Sequence, residues 1–507
     1  MVSMNWQELQ NGSDIRGVAL EGVEGEKVNL TPSIVNILGK SFTYWLTQRP
    51  SPSPNNLVIA IGRDSRLSGE SLSQALAEGI TELGATVYDF NIASTPAMFM
   101  STILSDWNCD GAIMLTASHL PFNRNGLKFF TKQGGLDKQN ITEILSLAEA
   151  NNFVLNSEKG KVIQRDFISV YADLFVDKIR KSVNHPINFQ QPLTGLHIVV
   201  DAGNGAGGFY GEKVLKPLGA DISGSQFLEP DGNFPNHIPN PENEEAMASI
   251  VKAVTENKAD FGIIFDTDVD RSGAVDSQGK EINRNRLIAL ISAIILQEYP
   301  HSTIVTDSIT SEGLTKFIES ELGGKHHRFK RGYKNVINEA LRLNNEGIKS
   351  HLAIETSGHG ALKENYFLDD GAYLITKVLI KLAQLKLENK DLIDLISSLE
   401  EPLENTEVRI KITADNFKEY GNKIIEELAP FTATQKDWKI VPNNYEGIRI
   451  SCNSEEEKGW FLLRLSLHDP VIPVNIESDV KGGIEKISAP LKQFLTQFNE
   501  LEIPANW

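Results

Sequence analysis

The residues best suited to chemistry stand in the segment FGIIFDTDVDRSG, in which aspartates follow an apolar run. The run is typical of a buried strand, so Asp266, Asp268 and Asp270 are expected on the loop that leaves it. Carboxylates a few ångströms apart repel one another unless a cation lies between them, and such oxygen ligands select Mg²⁺ or Ca²⁺. The sequence therefore predicts a divalent-cation site, with a solvated acidic turn as the alternative. Arg271, directly after the carboxylates, would then be free to bind a phosphate.

A serine follows a second apolar run, in the segment GAIMLTASHLPFNRNGLKFF. The run predicts a short buried strand, and the proline, asparagines and glycine after it break regular structure. Ser118 is therefore expected near the tip of a loop that a buried strand holds. A hydroxyl in that place is suited to reaction chemistry, but it would equally cap a turn by accepting from backbone N–H groups.

Three polar side chains alternate in the segment HLAIETSGHGAL, directly after another apolar run. Glu355, Ser357 and His359 offer an acceptor, a hydroxyl and an imidazole on a loop with two glycines. Such a set suits recognition of vicinal sugar hydroxyls, and it is equally compatible with an ordinary polar turn.

Further segments carry basic residues. FKRGYK supplies Lys330, and GRDSRLSG supplies Arg63 and Arg66. Basic residues near glycine can hold phosphate, but usually they are solvated surface charges.

The late segment LLRLSLHDP places polar residues after a strand: Arg464, Ser466 and His468. Together with backbone N–H groups these would make an anion site, although an ordinary turn fits the same residues.

A glycine pattern in LHIVVDAGNGAGGFYGEKVL offers a competing function. Gly203, Gly205 and Gly208 satisfy G-x-G-x-x-G between a strand and a helix, and Glu229 stands about twenty residues further on. This is the pattern of a dinucleotide-dependent oxidoreductase. The pattern alone leaves the aspartates and Ser118 unexplained, so we prefer a tight glycine turn that packs a helix on a strand.

The elements that position these residues are short apolar runs that alternate with segments of helical period, as in NLVIAIG, SLSQALAEGITELGA and GAIML. Continuous apolar strands between helices predict parallel sheets covered on both faces, with functional loops at the carboxyl ends of the strands. Beyond the charged segment SSLEEPLENTE, extended and alternating segments have few helices between them. That part of the chain predicts a separate α+β domain with an antiparallel sheet.

Size and charge limit the classes of protein that fit. The chain has 507 residues, enough for three to five domains at roughly 100 to 200 residues each. The net charge of −18 and the scattered Lys and Arg disfavour nucleic acid and anionic membranes as partners. The two cysteines match no metal or redox spacing, and no apolar run is long enough to span a membrane. We expect a cytoplasmic protein, or a plastid stromal one if a transit peptide has been removed.

In their order along the chain, these motifs resemble the α-D-phosphohexomutase superfamily, which includes phosphoglucomutases and phosphomannomutases. The resemblance rests on GSDIRG, GRDSRLSG, TASHLPFNRNGLK, DAGNGAG, DGNFPNHIPNP, DTDVDR, ETSGHG and RLSLHDP. It implies an α/β protein with four domains round a central cleft, of which three are α/β domains with mixed sheets and the C-terminal one is α+β. We place these domains at residues 1–163, 164–282, 283–396 and 397–507.

The resemblance implies an Mg²⁺-dependent mutase that interconverts hexose 1-phosphate and hexose 6-phosphate, of glucose, mannose or both. Ser118 would carry the phosphoryl group, and hexose 1,6-bisphosphate would be the intermediate and activator. One Mg²⁺ per chain would be held by that phosphoserine and by the aspartates of the first segment: Asp266, Asp268 and Asp270. Lys128 and Arg16 resemble the acid/base and charge-balancing residues, and His119 belongs to the same polar shell. The expected partners are small phosphosugars, in a monomer or a homodimer.

The resemblance also implies a set of substrate contacts. Glu355 and Ser357 resemble the residues that read the sugar hydroxyls. His359 and Lys330 stand near them in the pattern, and Arg271 would hold substrate near the metal. The distal phosphate would bind to residues of the last domain: Arg464, Ser466 and His468.

Departures from the family pattern leave a second reaction open. The family's last loop usually reads like R-P-S-G-T-E-P, whereas this chain has Leu467 for the glycine and His468 for the threonine. A leucine hinders the close backbone approach to phosphate that glycine admits. Leu120 also stands where asparagine is common after Ser-His. A weaker phosphate grip favours a hexose 1,6-bisphosphate synthase that releases the intermediate, and a non-catalytic phosphosugar-binding regulator is a further alternative.

Overall fold

The computed structural model describes residues 5–49, 54–466, 469–505 and 507. The chain divides into two compact units, one of Met1–Asn283 with Ser357–Leu392 and one of Arg284–Thr356 with Ile393–Trp507. Four sheets form across the described residues. No helix among these residues has both the length and the apolar character needed to cross a bilayer.

The first sheet is mixed, and it carries the serine segment. Its strands are β1 (Gln10–Asn11), β2 (Asp14–Val18), β3 (Val58–Arg63), β4 (Thr86–Ile92), β5 (Gly111–Leu115), β6 (Arg124–Thr131), β7 (Gly134–Gly135) and β8 (Val162–Gln164). They lie in the order β1-β2-β6-β5-β3-β4-β8, with β7 beside β6. The strands from β5 to β8 in this order are parallel, whereas β6 pairs antiparallel with both β2 and β5. The serine segment is therefore the connection of an antiparallel pair, β5 and β6.

Four helices accompany this sheet, and apolar side chains join them to it. The helices are α1 (Pro32–Thr47), α2 (Gly69–Glu82), α3 (Thr95–Ile103) and α4 (Lys138–Ala150). The rings of Phe42 and Phe129 meet at 5.0 Å between their centroids, in a core where both are fully buried or nearly so. This core fixes β6, and the register pairs Met114 of β5 with Lys128 of β6. Lys128 is thereby placed close to the start of the serine segment.

The second sheet carries the aspartate segment. Its elements, with the helix that precedes it, are α5 (Phe167–Val183), β9 (Ile198–Asp201), α6 (Glu244–Asn257), β10 (Phe261–Phe265), β11 (Ser272–Asp276) and β12 (Glu281–Ile282). The order is β12-β11-β10-β9, parallel between β9 and β10 and antiparallel between β10 and β11. The pair Phe265 and Ser272 closes a hairpin, so the aspartates stand on the hairpin loop.

The second compact unit begins with three strands in parallel and then changes architecture. Its first elements are α7 (Arg284–Glu298), β13 (Thr303–Thr306), α8 (Glu312–Lys316), β14 (Lys325–Arg328), α9 (Tyr333–Asn345) and β15 (Ser350–Ile354). Strand β13 lies between β14 and β15 and is parallel to both. The chain then returns to the first unit with β16 (Gly360–Leu362) and α10 (Gly371–Leu387).

The last part of the chain forms an antiparallel sheet, as the sequence predicts. Its elements are β17 (Glu404–Ile412), α11 (Phe417–Thr432), β18 (Trp438–Ile440), β19 (Ile448–Cys452), β20 (Gly459–Leu463), β21 (Val471–Ser478), α12 (Gly483–Leu495) and β22 (Leu501–Glu502). The order is β18-β19-β20-β21-β17-β22, and every described pair is antiparallel. The predicted fold class, three mixed α/β domains and an α+β domain, is confirmed. The boundaries at residues 163, 282 and 396 stay predictions.

Candidate active site

The loop between β10 and β11 holds three buried carboxylates. Asp266 and Asp268 are 0% exposed and Asp270 is 2% exposed. Their nearest oxygens all lie within 4.8 Å of one another. Val269 between them has φ +66°, a conformation that a β-branched residue rarely adopts, and its carbonyl accepts a hydrogen bond from Gly371 N at 3.1 Å. The loop is therefore fixed in a shape that turns the carboxylates towards one another.

Neighbouring groups donate hydrogen bonds to some of these carboxylate oxygens but not to others. Lys128 Nζ donates to Asp268 Oδ2 at 2.9 Å and to Asp270 Oδ2 at 2.6 Å. Thr95 Oγ1 also donates to Asp268 Oδ2, and Thr95 N donates to the Asp268 carbonyl at 2.9 Å. Within the described part of the chain, the buried Oδ1 atoms of Asp268 and Asp270 accept no hydrogen bond. Converging buried oxygens without donors fit a hard divalent cation.

The surroundings of this cluster shift the pKa values of two of its aspartates in opposite directions. Burial, followed by the charges of Asp270 and Asp268, raises the pKa of Asp266 well above its ordinary value. Burial acts in the same direction on Asp270, but the charges of Lys128, His359 and Arg271 outweigh it and hold the pKa of Asp270 below its ordinary value. Three carboxylates in one buried site carry an electrostatic cost that a divalent cation would relieve.

Ser118 reaches this cluster from the loop between β5 and β6. The residue is 2% exposed and has φ +52°, in the left-handed region. Its backbone N–H donates to Thr116 Oγ1 at 2.8 Å. Its Oγ donates to Asp266 Oδ2 at 3.3 Å and lies 3.3 Å from His119 Nδ1. The serine and the aspartates, which are far apart in the sequence, therefore meet in the first unit.

Two arginines flank the serine. Arg16 Nη1 donates to the Ala117 carbonyl at 2.8 Å, and its Nη2 donates to Asp14 Oδ2 at 3.2 Å. Arg271 Nη2 donates to His119 Nδ1 at 3.0 Å. Burial, together with the charges of Arg271 and Arg16, lowers the pKa of His119 to about 3. His119 is therefore a neutral acceptor in this polar shell.

The polar segment after β15 brings a second histidine to the same cluster. His359 and Arg271 form an antiparallel bridge, and Ser272 N donates to the Gly358 carbonyl at 3.3 Å. His359 Nδ1 lies 2.6 Å from Asp369 Oδ2 and 3.8 Å from Asp270 Oδ1. Although burial disfavours a charged ring, the carboxylate of Asp369 raises the pKa of His359 above its ordinary value. Ser357 is also buried in this unit.

The remaining predicted residues belong to the second unit. Glu355 Oε1 accepts from Gly332 N at 2.6 Å, which fixes the loop that carries the exposed Lys330. Burial, with the nearby charge of Arg331, lowers the pKa of Arg464. Ser466 N donates to the Val471 carbonyl at 3.0 Å across the β20–β21 connection. His468, with Leu467, lies outside the described residues.

Some residues of the site were not predicted. Thr95 binds a carboxylate of the aspartate loop, and Asp369 pairs with His359. Thr95 stands in the segment IASTPAMF, where Ser94 caps helix α3 and a proline follows, which is a recognisable helix start. Asp369 stands in LDDGAY, directly before Asp370, the residue that caps helix α10. Both signals locate a helix start, but neither indicates a ligand.

The glycines of the competing pattern serve backbone packing. A Cβ on Gly205 would meet Thr267 O at 2.7 Å, and one on Gly208 would meet Leu228 O at 2.1 Å. These glycines therefore admit neighbouring backbone, including the backbone of the aspartate loop. This packing supports the interpretation of the segment as a tight glycine turn.

Comparisons with known proteins match most of the chain. Models of phosphoglucomutase/phosphomannomutase alpha/beta/alpha domains I, II and III match residues 7–154, 173–279 and 283–402. The chain is 30% identical over 436 residues to the phosphoglucomutase of Neisseria gonorrhoeae, covering 86% of this chain and 87% of that protein. It is 31% identical over 458 residues to the phosphomannomutase/phosphoglucomutase of Pseudomonas syringae pv. tomato, covering 90% of this chain and 91% of that protein.

A solved structure agrees with these matches. The phosphoglucomutase/phosphomannomutase family protein of Burkholderia thailandensis superposes with a TM-score of 0.78 at 26% identity, covering 98% of this chain and 99% of that one. The predicted resemblance is thus confirmed by sequence and by fold. The chain belongs to the phosphoglucomutase/phosphomannomutase family of the α-D-phosphohexomutase superfamily, enzymes of the hexose phosphate mutase type.

Proposed function

We propose that the enzyme interconverts hexose 1-phosphate and hexose 6-phosphate, of glucose, mannose or both, through a phosphoserine at Ser118 and a hexose 1,6-bisphosphate intermediate. The observation that carries this proposal is the approach of Ser118 Oγ to Asp266 Oδ2, at 3.3 Å, on a loop that joins two buried strands. A phosphoryl group on this oxygen would adjoin the carboxylate cluster and the guanidinium of Arg271.

The carboxylate cluster supports a proposed Mg²⁺ site. Asp266, Asp268, Asp270 and an oxygen of phosphorylated Ser118 would hold one ion per chain, and the buried Oδ1 atoms described above fit this assignment. A bound Mg²⁺ would neutralise charge on the phosphoryl oxygens. Lys128 balances part of the charge of the aspartate loop through its contacts to Asp268 and Asp270.

The other residues of the first unit hold and orient the reacting groups. Lys128 is assigned to proton transfer at the sugar hydroxyl, and Arg16 to balancing the phosphoryl charge. His119 accepts from Arg271 and so orients this guanidinium beside the serine. Phosphoryl transfer needs little covalent assistance from protein, so positioning and charge stabilisation supply most of the catalysis.

Sugar and phosphate recognition is assigned to two groups of side chains. Glu355 and Ser357 would read the sugar hydroxyls, with His359 beside them in the sequence and Lys330 on the loop that Glu355 fixes. Arg271 would contact the substrate near the metal. The distal phosphate would bind to the β20–β21 connection through Arg464, Ser466 and His468.

The proposal is tested by incubating the protein with Mg²⁺ and glucose 1-phosphate or mannose 1-phosphate, with and without glucose 1,6-bisphosphate. We expect isomerisation to the 6-phosphate that depends on the bisphosphate and is lost in Ser118→Ala. Mass spectrometry of the serine peptide should detect one phosphoryl group in the unmodified protein. Isomerisation at the full rate by Ser118→Ala would refute the proposed role of the serine.

A second candidate, a hexose 1,6-bisphosphate synthase, is favoured by the sequence of the last phosphate loop, where Leu467 replaces the usual glycine. A weakened grip on the distal phosphate would let the bisphosphate leave before it reorients. Accumulation of free bisphosphate from a phosphoryl donor and glucose 6-phosphate, with little isomerisation, would decide for the synthase. Leu467→Gly should then shift the product towards the isomerised monophosphate.

A further inference from the structure

One buried arginine has no part in the function proposed above. It lies against the serine loop, residues 116–123, which joins β5 to β6. The side chain of Arg66, in the segment GRDSRLSG, is 0% exposed. This departs from the solvated surface charge that is usual for such a residue. A buried charge is costly unless it is paired and hydrogen-bonded, so its position needs a structural reason.

The guanidinium of Arg66 donates hydrogen bonds along the whole serine loop. Its Nη2 donates to the carbonyls of Ser118 and Leu120, each at 2.5 Å. Its Nη1 donates to the carbonyls of Pro121 at 2.7 Å and Arg124 at 3.0 Å. Because a guanidinium presents its donors in a rigid planar fork, one side chain fixes all these peptide groups relative to one another.

Arg66 is itself fixed to the strands on either side of the loop. Its Nε lies 3.3 Å from Asp64 Oδ2, and its backbone N–H donates to Asp64 Oδ1 at 2.9 Å. Asp64 N donates to the carbonyl of Leu115, the last residue of β5, at 3.1 Å. Ser68 Oγ accepts from Asn125 Nδ2, in β6, at 2.9 Å. The guanidinium is thus anchored to the sheet from which the serine loop extends.

The serine loop needs such support because Ser118 is strained. Its φ of +52° is uncommon for a residue other than glycine, and such conformations persist only where the surroundings impose them. The hydrogen bonds from Arg66 to the carbonyls of Ser118 and Leu120 on either side of His119 supply such surroundings.

We infer that Arg66 is a positioning residue that holds the serine loop in its reactive conformation, with Ser118 Oγ directed at Asp266. This inference rests on the proposed role of Ser118 as the phosphoryl carrier. Arg66 touches no reacting atom in this arrangement, and its effect on the reaction passes through the loop backbone.

The kinetic test uses Arg66→Lys, which keeps the charge but loses the planar fork. We expect kcat to fall on the order of 100-fold, because small displacements of a reacting group cost about that much, while KM stays within about threefold. Arg63→Lys is the matched control from the same segment, since Arg63 Nη2 donates to Asn91 Oδ1 at 2.9 Å and makes no described contact with the serine loop. A kcat for Arg66→Lys equal to that of Arg63→Lys would overturn the inference.

Hydrogen exchange tests the loop without relying on activity. In Arg66→Lys the backbone amides of Ser118, Leu120 and Arg124, which donate hydrogen bonds within the loop, should exchange at least about tenfold faster than in the unmodified protein, while those of β10 stay unchanged. The same increase in exchange is expected when Arg66→Lys is added to Ser118→Ala. Loss of the proposed serine chemistry would therefore leave this result standing, whereas unchanged exchange would overturn the role of Arg66.

The unmodified protein supplies a measurement in case Arg66→Lys fails to fold. The amides of Ser118, Leu120 and Arg124, which donate to Thr116 Oγ1 and to the carbonyls of Ala117 and Pro121, should exchange at least about tenfold more slowly than those of the exposed segment around Val154. Exchange as fast as that of the exposed segment around Val154 would overturn the inference.

Discussion

Asp268 owes its position to a threonine at the start of helix α3 as well as to its own loop. Thr95 binds this carboxylate with its hydroxyl and the Asp268 carbonyl with its backbone N–H. Groups that bind metal ligands from behind orient them, and their loss weakens metal affinity. Thr95 therefore belongs to the proposed Mg²⁺ site although it offers no ligand.

Thr95→Val should raise the Mg²⁺ concentration needed for half-maximal activity by about tenfold, because the valine keeps the volume and loses the donor. Activity at saturating Mg²⁺ should change little. Thr102→Val is the control, since Thr102 lies on the same helix and donates only to the Phe99 carbonyl, at 2.7 Å. Equal Mg²⁺ dependence in both variants, measured by titration, would contradict the role given to Thr95.

The sequence predicts candidate residues at the ends of apolar strands, and it does not indicate residues that contact them from distant positions in the chain. Ser118 and the aspartates follow buried runs, and this local signal predicts the loops that carry them, whereas their roles were predicted from the resemblance. Thr95 and Asp268 are separated by 173 positions, so no spacing could have indicated their contact. The burial of Arg66 was not predicted either. An arginine between polar residues is usually exposed to solvent, and the sequence does not show the buried carbonyls that surround this one.

At the scale of elements, the strand pairs that carry the site differ from those that the pattern predicts. Apolar runs predicted parallel sheets, yet β6 and β11, which follow the serine and the aspartates, are antiparallel. Both strands are buried almost throughout, so their sequences lack the alternation that usually reveals an antiparallel strand. The mixed sheets were predicted from the resemblance to the family and not from the periodicity of apolar residues.

A loop of the last sheet also fixes a loop of the preceding one. Glu446 Oε1 accepts from Ser308 Oγ and from Arg331 N, the latter at 2.8 Å. Glu355, assigned to sugar recognition, holds the next residue, Gly332. The two carboxylates therefore fix adjacent peptide groups of one loop.

Glu446→Ala should raise KM for the hexose phosphate about tenfold, because charged hydrogen bonds of this kind contribute roughly 1.5–3 kcal/mol. Glu446→Gln keeps an acceptor and should lie between Ala and the unmodified protein. Glu456→Ala, at an exposed site, is the control. Steady-state kinetics check the prediction, and an unchanged KM in Glu446→Ala would count against it.

A buried glutamate makes the stability of the last sheet depend on pH. Burial raises the pKa of Glu477 to about 7, although Arg449 and the Trp460 indole oppose this rise. As pH increases above the ordinary pKa of 4.5, the unfolded chain loses this proton before the folded one does. The stability contributed by protonated Glu477 is therefore complete in acid and is lost as pH rises to about 7.

Replacement by glutamine should remove this dependence. Between pH 5 and pH 8, the difference in unfolding temperature between Glu477→Gln and the unmodified protein should move in favour of the variant. Glu455→Gln serves as control, because its side chain is 88% exposed. A constant difference across this range, measured by thermal unfolding, would contradict the assignment.

At the scale of the whole molecule, the proposed Mg²⁺ site predicts that cation binding stabilises the protein. A ligand that binds only the folded state stabilises it by mass action. Mg²⁺ should therefore slow hydrogen exchange in the segments of the first unit that surround the aspartate loop, and a chelator should reverse the effect. Asp268→Asn should abolish the response, whereas a response that persists in this variant would place the ion elsewhere.

The division of the chain into two units also divides the residues that we assign to sugar recognition. Glu355 and Lys330 belong to the second unit, whereas Ser357 and His359 belong to the first, together with Ser118 and the aspartate loop. Under this assignment, a chimera that exchanges only the second unit would replace some of the proposed sugar contacts and keep the others. We therefore expect sugar preference to change through combined substitutions in both units more readily than through the exchange of one unit.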